Sequence, residues 1–180
     1  MKIVLATTPR MKDLVFRMRY EMIAEELGEM DPASFPDKRE RDDYDRYAEQ
    51  YLFYTKSGEV MGCFRLIYRT PIGLPAIKAY ELDELAKEIG EANLCEMSRV
   101  YIKKEFRSVN TTLNLFTRIM VFGCRFMRKK KMTHAICAVE ELLYRLIRLS
   151  NAPFKKVGDA RPNYIRYRYP LLLSMEELAS

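Results

Sequence analysis

The chain of 180 residues is 48% hydrophobic and carries 31 basic against 25 acidic side chains, a formal net charge of +6. That apolar content suffices for a core, and no repeat, low-complexity tract or Ser/Gly-rich linker interrupts it, so residues 1–180 are expected to form one domain. The charge excess admits an acidic partner, but no helix-turn-helix, zinc-finger or RNP pattern points to nucleic acid.

In chain order, residues 2–6 read as a first strand. The apolar run of MKIVLATTPRMK is too short for a signal-peptide core. Thr8-Pro9 starts a helix whose apolar positions Leu14, Val15, Met18, Met22 and Ile23 keep helical spacing up to Gly28. Residues 29–45, EMDPASFPDKRERDDYD, hold two prolines and many charges and read as a loop lying over other structure. YLFYTK and EVMGCFRLIYR form a hairpin across Ser57-Gly58. Pro71, Gly73 and Pro75 mark a second loop, followed by a short helix near ELDELAKEI.

A strand over about 94–103 follows, then a helix from Thr111 to about Arg128 with Asn110 as its cap. Its apolar residues fall on two stripes, Leu113/Phe116/Met120/Met127 and Leu115/Ile119/Phe122/Phe126, which predicts a largely buried helix. Asn114, Thr117, Arg118 and Arg125 make it too polar to span a bilayer. THAICAV is a strand, EELLYRLIRLS a helix, and 154–158 and 163–169 supply the last strands. The order is a mixed α/β sheet in which the helix at 111–128 is a crossover between parallel strands.

Cys63, Cys95, Cys124 and Cys137 are widely spaced inside apolar segments, which suits reduced, buried thiols in a cytoplasmic protein. With one histidine, His134 in an apolar strand, and no C-x-x-C, no metal site is expected.

The informative charges have apolar neighbours. Arg65 shares a strand face with Cys63 and Ile67, and a buried cation needs an acceptor. The segment LCEMSRVYI places Glu96 and Arg99 three positions apart, so a regular strand would point them to opposite faces. Acids stand upstream in Glu40-Arg-Asp42-Asp-Tyr-Asp45, and Arg19 projects from the first helix. A cluster of Arg19, Asp42, Asp45, Arg65, Glu96 and Arg99 would satisfy these charges mutually.

In order, an arginine in FRMRYEMIAEELG, E-x-D-x-Y-D at 40–45, G-x-x-R-L at 62–66 and E-x-S-R at 96–99 resemble the acyl-homoserine lactone (autoinducer) synthases and the related N-acyl amino acid synthases. The resemblance extends through NLFTRIMVFGCRFMRKKKMTHAICAVEELLYRLI. It implies the GNAT acyltransferase fold: a mixed, mostly antiparallel sheet with a bulged central strand and helices on both faces. A bulge shifts the alternation, so Glu96 and Arg99 could face one site. The functional positions it implies are Arg19, Asp42, Asp45, Arg65, Glu96 and Arg99. Two departures fall on the acceptor side: Ile23 replaces an aromatic residue one turn after Arg19, and the chain has no tryptophan. They point away from S-adenosylmethionine, towards an amino acid or another amine.

The implied reaction is acyl transfer from a thioester to an amine without a covalent intermediate. Glu96 is the first choice for the base and Asp45 the second. Backbone N–H groups near Ser98 to Val100 would hold the oxyanion. Arg65 and Arg99 would hold the acids in place, and Arg19 could pair with a substrate carboxylate. The pyrophosphate loop of coenzyme A-dependent GNAT enzymes, R-x-x-G-x-G/A, corresponds here to Arg107-Ser-Val-Asn-Thr-Thr, with no glycine. An acyl carrier protein, bringing only phosphopantetheine, is therefore favoured over acyl-CoA as donor. Its acidic surface would meet Lys103, Lys104 and Arg107, or Arg145 and Arg148. Arg128 to Lys131 reads as a complement to the helix dipole. The alternatives are an acetyl-CoA-dependent N-acetyltransferase and a non-catalytic relative that binds acyl carrier or lipid.

Overall fold

The computed structural model describes residues 1–163 and 166–178. Two compact units form: residues 1–66 with 98–114, and residues 67–97 with 115–180. Strands β3 (Val60–Tyr68) and β4 (Leu94–Ile102) contribute residues to both.

In the first unit, strand β1 (Lys2–Leu5) pairs antiparallel with β2 (Ala48–Tyr54). Helix α1 (Pro9–Tyr20) begins as the sequence suggests: Pro9 occupies the first turn, and Thr8 Oγ1 accepts the Met11 N–H at 3.2 Å. The chain then widens into a π-helical turn over Glu21–Glu26, with the Leu27 N–H bonded to the Met22 carbonyl at 2.9 Å, and Gly28 ends it at a φ of +62°. Val15, Met18, Ala6, Leu52 and Cys63 make the core between helix and strands. The 29–47 segment contains two 3₁₀ turns, Pro32–Ser34 and Asp43–Tyr47, and its Phe35 packs edge-on against Tyr20 with centroids 6.0 Å apart. β2 and β3 form the expected hairpin, closed by the Thr55 N–H on the Glu59 carbonyl, with Gly58 at a φ of +92°. On one face of that hairpin the rings of Tyr51, Phe64 and Phe53 stack.

In the second unit, Pro75 is not a loop marker but the first residue of a helix, α2 (Pro75–Tyr80), which the proline's fixed φ favours. Helix α3 (Asp83–Ile89) follows. The crossover helix α4 (Val109–Lys130), whose residues up to Asn114 belong to the first unit, is capped by Ser108, whose Oγ accepts the Thr111 N–H at 3.1 Å, rather than by Asn110. It leads to β5 (His134–Glu140), and β4 and β5 pair in parallel from Leu94↔His134 to Glu96↔Ile136, as the crossover requires. α4 is less buried than its apolar content predicts. Leu115, Ile119, Phe126 and Met127 are enclosed, whereas Leu113 and Val121 face water.

Helix α5 (Glu141–Leu149) packs Ile147 against Val139 of β5 and Leu171 of β8 (Arg166–Ser174). β8 runs five residues past the expected end at 169, because Leu171, Leu172 and Leu173 pair with β5. The short strands β6 (Phe154–Lys156) and β7 (Arg161–Asn163) also pair antiparallel with it. The strand order is β1-β2-β3-β4-β5-β8-β6, a mixed and mostly antiparallel sheet.

Gly62 is the tightest point of β3. A Cβ there would lie 2.1 Å from the Tyr101 carbonyl of β4, so no side chain fits without parting the strands. Gly62→Ala is expected to lower stability by about 3 kcal/mol or more, read as a shift in the urea midpoint. A midpoint within error of wild type would show that the strands can part without cost.

Candidate active site

Three arginines and three carboxylates meet in the first unit. Arg19, at the end of α1, donates from Nε to Glu40 at 2.5 Å and grips both Asp45 oxygens, at 2.7 and 3.1 Å. Arg65 of β3 donates to Asp42 at 2.6 Å, to Asp45 at 2.8 Å and to the Ser98 hydroxyl at 3.1 Å. Arg99 of β4 reaches Glu40 at 3.0 Å and Asp42 at 3.3 Å. The formal charges cancel, which is what permits Arg19 and Arg65 to be 0% exposed.

Local sequence explains how the acids converge. Asp42 caps the 3₁₀ turn at Asp43–Tyr47, accepting from the Tyr44 N–H, while Asp45 accepts the Asp42 N–H at 2.9 Å. This capping box turns both carboxylates to the arginines. Burial alone would raise the pKa of Glu40, but Arg99 and Arg19 outweigh it and hold the group at about 2. Asp45 is likewise held at about 2: burial opposes ionisation, and Arg19 and then Arg65 overcome it.

These contacts revise two sequence assignments. Arg19 is enclosed and committed to Glu40 and Asp45, so it presents no face to a substrate carboxylate. Asp45 is a poor proton acceptor, because its carboxylate is saturated by Arg19, Arg65, Gln50 and a backbone N–H and stays ionised far below neutral pH. Gln50 was not among the sequence candidates. It is buried on β2, donates to Asp45 at 2.8 Å, and keeps an Oε1 with no hydrogen-bond partner among the described residues. A polar residue on the same strand face as Leu52 was the available signal.

Strand β4 is irregular where the charge spacing said it would be. Arg99 adopts a φ of +54°, a left-handed conformation foreign to a regular strand and typical of a bulge. The alternation therefore breaks between Ser98 and Val100, and Val100 is exposed. Glu96, 3% exposed, accepts the Ala76 N–H at 2.7 Å and so caps helix α2 from a neighbouring strand.

The remaining candidates differ in setting. Ile23 is fully buried in the π-helical turn with Tyr20 and Ala24. Lys104 is exposed, Lys103 partly so, and the Lys103 N–H bonds the Met61 carbonyl. Arg107 is tied to the Ile102 carbonyl and the Glu26 carboxylate, so much of its charge is spent within the protein. On α5, Arg145 pairs with Glu141 at 2.6 Å and Arg148 is exposed. His134 starts β5 with Nδ1 at 2.8 Å from the Thr133 hydroxyl, a structural setting. All four cysteines are free, and burial pushes Cys63, Cys95 and Cys137 up to about 12, which keeps them protonated at neutral pH. Among the described residues, no group of side chains is arranged to hold a metal ion, and no helix is long and apolar enough to cross a membrane.

The sequence pattern of the N-acyl amino acid synthase FeeM family matches residues 14–173, a span that contains every residue of the ionic network. The chain belongs to that family. It is an acyltransferase of the N-acyl amino acid or acyl-homoserine lactone synthase kind. Solved structures similar to this FeeM family member include FeeM itself, an N-acyl amino acid synthase from uncultured soil microbes. It is 16% identical with a TM-score of 0.72, over 98% of this chain and 91% of that one. LasI, an acyl-homoserine lactone synthase, is 15% identical with a TM-score of 0.69, over 96% and 89%. BjaI, a CoA-dependent acyl-homoserine lactone synthase solved with SAM and isopentyl-CoA, is 18% identical with a TM-score of 0.63, over 96% and 82%. No curated protein matches the chain. At these identities the structures establish a shared GNAT-like fold.

The network sets two expectations. Arg19→Ala would leave buried Glu40 and Asp45 each short of a guanidinium partner and cost about 3–5 kcal/mol, measured by denaturant unfolding. Because the folded pKa values of Glu40 and Asp45 lie below those of the unfolded chain, their stabilisation is complete above the ordinary carboxylate range. It is lost as pH falls from about 5 towards about 2. Thermal melts across that window should fall steeply in wild type and less steeply in Glu40→Gln. Parallel curves would refute the assignment.

Proposed function

We propose that the enzyme moves a fatty acyl group from the phosphopantetheine thioester of an acyl carrier protein to the amine of a small molecule, an amino acid or a homoserine-lactone-type signal precursor. Residues 1–180 act as one GNAT-like N-acyltransferase domain. The observation that carries the reading is the left-handed Arg99 within β4, its guanidinium bound to Glu40 and Asp42. Such a break leaves backbone N–H groups near Ser98 to Val100 outside a regular ladder, available to an oxyanion.

In this mechanism the amine nitrogen attacks the thioester carbonyl. The new C–N bond forms, the C–S bond breaks, and the thiolate leaves with a proton. An aliphatic amine is mostly protonated at neutral pH, so a carboxylate must take its proton, directly or through water. Glu96 fills that role better than Asp45, which the arginines hold ionised and saturated. Arg19, Arg65 and Arg99 fix the acids and the 40–47 segment, with Asp42 and Ser98 as their partners.

Arg107-Ser-Val-Asn-Thr-Thr, at the start of α4, has no glycine to bring backbone N–H groups against a pyrophosphate, and Arg107 is held by Glu26. This supports carrier protein over coenzyme A, docked on Lys103 and Lys104 or on Arg145 and Arg148. The similarity to the CoA-dependent synthase BjaI keeps acyl-CoA as the second reading. A recess of about 270 Å³ in the second unit, lined by Leu74, Ile77, Ala86 and Leu94 together with Arg69, Lys78, Asp83 and Glu91, has the volume for a chain longer than acetyl. The buried Ile23 and the absence of tryptophan support an amino acid over S-adenosylmethionine as acceptor.

Acyl carrier protein and coenzyme A thioesters of several chain lengths, each incubated with pooled amino acids and with S-adenosylmethionine, test this by mass spectrometry. An N-acyl amino acid formed faster from the carrier protein is expected. Glu96→Gln should lower kcat by about 10²–10⁴-fold, with a matching loss of the rise in rate with pH. Wild-type turnover in Glu96→Gln would remove the base, and no amide from any donor would leave only carrier binding.

A further inference from the structure

We propose that the exposed face of α4 docks the protein on an anionic lipid surface. The 22 residues of this helix include no acid. At 3.6 residues per turn, Arg118, Val121, Arg125, Arg128 and Lys129 fall within about 100° of its circumference, and all are exposed. Leu115, Ile119 and Phe126 lie outside this arc, on the buried side.

Cations on the other helices are only in part paired along the helix: Arg10 and Lys12 of α1 and Arg148 of α5 form no ion pair with any described residue. Arg17 pairs with Asp13 on α1, Lys87 with Glu84 on α3, and Arg145 with Glu141 on α5. Arg125, Arg128 and Lys129 form no ion pair with any described residue. The helix dipole accounts for cations in the last turn only, so it does not explain Arg118 or Arg125.

The composition of the face selects the partner. A stripe of one sign, with an apolar Val121 that is 48% exposed at its middle, matches a plane of uniform negative charge with an apolar layer beneath. An acidic carrier protein has its own candidate surfaces at Lys103 and Lys104 or at Arg145 and Arg148, outside this arc. Single-stranded nucleic acid would call for aromatic residues to stack its bases, and the arc has none. Docking needs no part of the acyl-transfer reading. If that reading holds, the amide product is released beside the bilayer into which it partitions.

Co-sedimentation of the whole protein with phosphatidylcholine vesicles, with and without phosphatidylglycerol, tests the surface. Binding is expected only with phosphatidylglycerol, and should vanish between about 0.1 M and about 0.5 M salt as the Debye length shortens. At about five-fold per cation, Arg125→Gln/Arg128→Gln/Lys129→Gln should bind roughly a hundred-fold more weakly, while Lys103→Gln/Lys104→Gln binds as wild type. Equal binding to both vesicles, binding to neither, or an equal loss in the two variants would overturn the proposal. A triple variant that loses turnover with acyl carrier protein, with no vesicle binding by wild type, would make the face a protein-docking surface instead.

Discussion

The mutual neutralisation of Arg19, Arg65 and Arg99 by Glu40, Asp42 and Asp45 is the constraint around which the first unit is organised. A buried ion cluster contributes little net stability compared with well-packed apolar residues, because desolvation consumes most of the Coulomb gain. What it supplies is position. The 29–47 segment has few apolar residues with which to fix itself, apart from Phe35 and Met30 against the helix end. Its acids have low-energy places only where the guanidinium groups are, and those come from one helix and two strands. Each arginine bridges at least two acceptors, so no acid can shift without unpairing more than one bond.

The same cluster sustains the defect in β4. A non-glycine residue in the left-handed region costs about 1–3 kcal/mol, and Arg99 has no glycine's freedom to absorb it. Its guanidinium bonds to Glu40 and Asp42 offset that cost and hold the side chain on the network's face. Opposite, Gly62 lets the β3 backbone come close to the Tyr101 carbonyl. Gly62 and Arg65 in G-x-x-R-L thus serve one feature from two directions: the glycine permits close approach, and the arginine anchors Ser98 and the acids across from it.

Much of this was legible in the sequence because the signals were local or chemical. Thr8-Pro9 and Ser57-Gly58 mark turns whose geometry few other residues favour. The Glu96/Arg99 spacing conflicts with a regular strand, and the positive φ at Arg99 is the resolution. The failures have physical causes too. Pro75 reads as a loop marker although proline equally starts helices, and the expected strand end at 169 falls short because β8 runs on through Pro170 with partners on both sides. The sequence offers Asn110 as the cap, whereas Ser108, two residues earlier, accepts the Thr111 N–H. The partner of Glu96 was illegible in principle, because the Ala76 donor is a backbone N–H with no side-chain signature. Arg19 reads as a substrate partner because sequence shows a charge but not how many of its donors are already engaged.

Net charge hides the distinction between the two arginine populations. The three network arginines add nothing to the outward field, since their acids lie within about 3 Å and the sum is zero. Arg125 and Arg128 add fully, having no acid on their own helix. A formal +6 could equally describe cations spread evenly over the surface, in which case long-range attraction would have no direction. α1, α3 and α5 each neutralise one exposed cation by an i,i+3 or i,i+4 acid, whereas α4, with no acid of its own, neutralises none in this way. The field of the protein is therefore set less by how many basic residues it has than by which of them were left without a carboxylate.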